Sequence, residues 1–68
     1  MPERLLNKLK ERRTELGLTQ AELAERCGVT RKTVNTVENG VFTPSATLAI
    51  KLGQALELSV EQLFWIER

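Results

Sequence analysis

The chain has 68 residues, a net charge of +1 and only 4% aromatic side chains. That length suits one small domain with an economical core, and the scarcity of aromatics speaks against a sandwich or barrel. No apolar run approaches the ~20 residues of a membrane span, "MPERLLNKLKERR" carries no secretory stretch, and there is no histidine. Cys27 is the lone cysteine, so it has no internal disulfide partner; a reducing, cytoplasmic compartment is expected. With so few ligand types, no metal or cofactor is expected.

Charge is unevenly placed. Residues 1–32 hold eight basic side chains against five glutamates, and residues 33–68 hold two against four. Such a bias marks either an anion-facing side or a solvated helix face.

Five helices are predicted in a single domain over 1–68, an all-α bundle. The first runs from about Glu3 to Leu16, opened by Pro2 and stopped by Gly17, with Leu5, Leu6, Leu9 and Leu16 on one face. Arg12 and Arg13 interrupt that stripe. The second begins at Thr19, where Thr19 and Glu22 form a T-x-x-E capping box; Leu23, Ala24 and Cys27 face inward and Gly28 stops it. The third begins at Thr30, buries Val34 and Val37, and stops at Gly40. The fourth is capped by Ser45 and carries Leu48, Leu52, Ala55 and Leu56. The fifth opens with the box Ser59 to Gln62 and carries Val60, Leu63 and Phe64.

The connection "CGVT" is too short for the second and third helices to lie side by side. They are expected to cross at about 90–120°, as in a helix-turn-helix, which projects the third helix outward. Its free face shows Arg31, Lys32, Thr33, Asn35 and Thr36. Arg and Lys can bond guanine O6 and N7, Asn can bond adenine, and a Thr methyl can meet thymine.

These residues carry a resemblance. Gln20, Ala24, Gly28 and Val34 stand at the first, fifth, ninth and fifteenth positions of the motif, which resembles that of the phage repressor and Cro family, the Xre-like DNA-binding domains. "VENG" is similar to that family's ending of the recognition helix, and "TPSATLAIKLGQALELSVEQLF" to the helices that follow. The likeness covers residues 4 to 64. It implies base-reading by Arg31, Lys32, Asn35 and Thr36, and phosphate contacts from Gln20, Thr30, Thr33, Asn39, Gly40 and Thr43. It also implies a partly buried ion pair between Arg13 and Glu38. The residues support that pair independently, since Arg13 breaks a leucine face and buried charges need partners. Two adjacent cations stand where members often carry Ser or Gln, which favours phosphate affinity over discrimination.

Other chemistry is poorly supplied. Ser45 and Ser59 read as caps, Cys27 as a core thiol, and the glutamates form no carboxylate pair, so no catalytic residue is assigned. The ending "LFWIER" has four apolar residues in a row, more than one helix face can bury. Trp65 and Ile66 either fold back to shield Leu5 or Leu6, or join Phe64 in a dimer surface, which is preferred because one small module reads few base pairs. The expected protein is a cytoplasmic regulator, a repressor binding double-stranded DNA as a homodimer over a palindrome. The alternative is an antitoxin-like module that neutralises a small partner protein with its apolar tail.

Overall fold

The computed structural model describes residues 3–67, so Pro2, the expected helix opener, lies outside the described residues. In chain order the elements are β1 (Arg4–Asn7), α1 (Leu9–Glu15), α2 (Gln20–Cys27), α3 (Arg31–Glu38), α4 (Ala46–Leu56), α5 (Val60–Leu63) and β2 (Phe64–Glu67).

Four of the five helices start at a cap residue whose own side chain replaces a missing carbonyl. Thr19 Oγ1 accepts from Glu22 N at 3.0 Å, while Glu22 Oε1 accepts from Thr19 N at 2.9 Å. Ser59 and Gln62 repeat the exchange at 3.2 and 2.8 Å. Thr30 Oγ1 accepts from Thr33 N at 3.2 Å and Ser45 Oγ from Leu48 N at 3.1 Å. Each such cap contributes about 1 kcal/mol. Gly28 sits at φ +69°, the left-handed turn between α2 and α3 that a Cβ would disfavour.

The core is built from one face of each helix. Leu9, Leu23, Leu56 and Leu63 are completely buried, and Leu52, Val34, Val37 and Cys27 are nearly so. The corner between α4 and α5 is closed tightly: a Cβ on Gly53 would stand 2.7 Å from the Leu58 carbonyl oxygen.

Two expectations need correction. The fold is not all-α, because residues 4–7 form a strand and the first helix begins only at Leu9. Asn7 is the reason for the late start. Its Oδ1 accepts from Leu9 N at 3.0 Å, opening α1, and its Nδ2 donates to the Val37 carbonyl at 3.0 Å. Upstream, β1 pairs antiparallel with β2 in the register Arg4↔Glu67, Leu5↔Ile66, Leu6↔Trp65 and Asn7↔Phe64.

The second correction concerns Phe64. It was expected on a dimer surface, but it is 7% exposed and belongs to the core cluster. Helix α5 ends at Leu63 and the chain turns extended, so the run "FWIE" follows a two-residue period. Phe64 then points into the core and Trp65, 43% exposed, faces the other way, while Ile66 shares the face of Phe64 but lies one pairing step further along the strand, opposite Leu5, and stays 46% exposed. The run of apolar residues therefore does fold back on Leu5 and Leu6, but as a sheet partner rather than as a helix.

Candidate nucleic-acid interface

Helix α3 is positioned from behind and from its side. Val34 and Val37, each 1% exposed, fix its back in the core. Its side is held by a polar chain. Arg13 Nε donates to Glu38 Oε2 at 2.7 Å, Arg13 Nη2 to Glu38 Oε1 at 3.3 Å, and Arg13 Nη1 to the Leu18 carbonyl at 2.8 Å. The Glu38 side chain is only 3% exposed and that of Arg13 13%, so both charges of this bidentate pair are removed from water. Gln20 Nε2 donates to the same Glu38 Oε1 at 3.1 Å, and Asn35 Nδ2 makes a long 3.5 Å contact to Gln20 Oε1. The chain ends at Asn39, whose Nδ2 donates to the Asn35 carbonyl at 2.9 Å and to Asn35 Oδ1 at 3.2 Å.

This network ties α1, α2 and α3 into one frame. It also sorts the residues read from sequence. Gln20 joins α2 to α3. Asn35 has both ends of its amide engaged by protein partners, so it orients neighbours as it stands. Arg31 and Lys32 differ: both are exposed, and neither side chain has a hydrogen-bond or ion-pair partner among the described residues. Two unpaired cations at the start of an outward helix form an electropositive edge, reinforced by the helix dipole. Thr30, Asn39, Gly40 and Thr43 are exposed at the two ends of α3, while Thr33 and Thr36 are half-buried along it.

Sequence reading missed two groups. Arg12 Nε donates to the Leu56 carbonyl at 2.8 Å, placing a cation at the C-terminal end of α4. The signal was present, since Arg12 breaks the leucine stripe just as Arg13 does. Val41 and Phe42, in the loop after α3, are large, apolar and exposed, and nothing in their spacing announced it.

The arrangement is a short helix, a left-handed glycine turn and a second, outward helix. The family profile described as Helix-turn-helix matches residues 9–63. The chain belongs to that family. A helix-turn-helix relative from Bacillus subtilis (strain 168), the uncharacterized HTH-type transcriptional regulator YgzD, is 44% identical over 61 residues, which covers 90% of this chain and 92% of its own. Among solved structures, the restriction-modification controller protein C.AhdI of Aeromonas hydrophila is 37% identical with a TM-score of 0.75, over 79% of this chain and 82% of that one. The P22 c2 repressor in complex with a synthetic operator is 26% identical with a TM-score of 0.76, over 78% and 80%. The helix-turn-helix assignment thus rests on sequence and on shape together. Among the described residues no cluster of metal-ligating side chains occurs, and no helix is long and apolar enough to cross a membrane.

Proposed function

We propose that this protein is a sequence-specific DNA-binding transcriptional regulator that acts in the cytoplasm as a repressor, with α3 in the major groove. The observation that carries the reading is the pair of exposed cations, Arg31 and Lys32, without partners among the described residues, on a helix whose back is locked into the core. A groove about 12 Å wide accepts such a helix. Arg31 and Lys32 reach base edges or phosphates; Thr36 adds a short contact. Gln20, Thr30 and the loop residues Asn39, Gly40 and Thr43 lie against the flanking phosphates. Arg13 and Glu38 touch no DNA in this scheme and act by holding α3 and Gln20 in place.

A single module of this size reads few base pairs, so the reading includes a homodimer on half-sites ~34 Å apart. Trp65 and Ile66, still half-exposed after Phe64 is withdrawn into the core, are the tail residues available to it. Repression is then steric: a dimer seated over a promoter blocks polymerase.

The test is selection of bound duplexes from a random pool at fixed salt, followed by titration of Arg31→Ala and Lys32→Ala. A side chain that meets a base should relax specificity at one position, at about 1–3 kcal/mol. One that meets a phosphate should weaken all duplexes alike and lower the salt slope by about 0.9 per contact. If both variants bind with unaltered affinity, specificity and salt slope, the assigned face is wrong. An enriched sequence without two-fold symmetry would remove the dimer.

A further inference from the structure

The loop after α3 exposes Val41 at 78% and Phe42 at 49%, and neither belongs to the core cluster. The loop is nevertheless held. Gly40, at φ +73°, turns the chain, and the amides of Val41 and Phe42 both donate to the Thr36 carbonyl, at 2.9 and 3.1 Å. A shallow groove results, lined by Lys32, Thr33, Thr36, Val41 and Phe42.

Its hydroxyls are occupied within the protein. Thr36 Oγ1 donates to the Thr33 carbonyl at 2.9 Å, and Thr33 Oγ1 shares a 3.0 Å hydrogen bond with Thr30 Oγ1. The threonines therefore offer the groove their methyl carbons, and Lys32 offers its aliphatic stem with the charge beyond it. An isolated exposed valine needs no explanation, but an apolar strip continuous with a cationic reading face does. A ligand matching both is polyanionic and carries a small apolar projection. Duplex DNA has one such group in the major groove, the C5 methyl of thymine.

We propose that Val41 and Phe42, together with Thr33 and Thr36, form a receiving site for a thymine C5 methyl, so that the loop selects sequence alongside α3. This rests on the reading of α3 as the DNA-contacting helix. It makes the loop a reader of base identity, where the family resemblance offered only a phosphate grip.

The experiment uses the duplex selected by the wild-type protein at fixed salt. Each thymidine is replaced singly by deoxyuridine, which deletes the methyl and leaves every hydrogen-bonding edge in place. At one position per half-site the wild type should lose about fourfold in affinity, the effect of one buried carbon. Val41→Ala and Phe42→Ala should bind the parent duplex more weakly and lose nothing further at that position. Val41→Ala is the safeguard against misfolding, because its side chain is mostly in solvent, and thermal melts verify both variants. Insensitivity of the wild type to every replacement overturns the inference while leaving DNA binding intact. So does an equal loss in wild type and variants at every position, which would place the methyl against another residue. A wild-type protein that enriches no duplex overturns the DNA-binding reading and this inference with it.

Discussion

Replacing Arg13 by methionine keeps an unbranched chain of similar length and removes the charge. It would leave the Glu38 carboxylate, 3% exposed, with Gln20 Nε2 as its remaining side-chain donor. Breaking a buried pair from one side costs about 3–5 kcal/mol, because the surviving charge stays out of water without its partner. At about 0.05–0.15 kcal/mol per residue, a domain of 68 residues has only ~3–10 kcal/mol in total. The loss should lower the thermal midpoint by at least about 12 °C, at ~4–8 °C per kcal/mol for a domain of this size. In urea, with a slope of ~1 kcal/mol/M, the midpoint should fall by at least about 3 M. The Arg4–Glu67 pair is an internal control. It spans 3.6 Å between side chains 72% and 50% exposed, so Arg4→Met should cost under about 1 kcal/mol. The double variant Arg13→Met with Glu38→Leu should recover most of the lost stability, since no charge is then left buried. Equal, small losses for Arg13→Met and Arg4→Met in urea titrations would refute the assignment of Arg13–Glu38 as a desolvated pair.

Other outcomes follow from single contacts. Val34→Asp places an unpaired charge at a position 1% exposed and should abolish cooperative unfolding, checked by a melt followed by circular dichroism. Gly53→Ala gains helix propensity of about 1 kcal/mol but drives a Cβ to 2.7 Å from the Leu58 carbonyl; the clash is with backbone, so a lower melting temperature is expected. Glu22 is held below the usual carboxylate range by its bond to the Thr19 amide and then by the Thr19 hydroxyl. A depressed folded pKa contributes stability above the unfolded pKa and loses it as pH falls through the folded one. Glu22→Gln keeps a side-chain acceptor and should therefore flatten the acid side of the stability curve, measured by urea midpoints from neutral pH downward.

The starts of α2 to α5 were legible because each is written within four residues, whereas that of α1 was not. Thr19 with Glu22 and Ser59 with Gln62 need no distant information, and all four cap sites stand where the sequence placed them. The strands were not legible in that way. "RLLN" has helical spacing with Leu9, and only pairing with residues 64–67, at the other end of the chain, makes it extended. Asn7 was the local cue that was missed, a side-chain acceptor two residues before Leu9 N. "FWI" is likewise a strand signature, aromatic and β-branched, masked by the helical spacing of the residues before it. At the interface, the cations were visible as types in a pattern. The engagement of Asn35 between Gln20 and Asn39 was not, because it depends on where three amides meet in space.

The pairing of Arg4–Asn7 with Phe64–Glu67 also sets an order of assembly. A ribosome makes β1 some sixty residues before β2, so the helices between them can gather before the sheet exists. A nascent chain halted within α5 would leave Leu5 without its cross-strand neighbour Ile66 and Asn7 without Phe64. The two-stranded seam thus acts as a clasp that closes only when both segments are present.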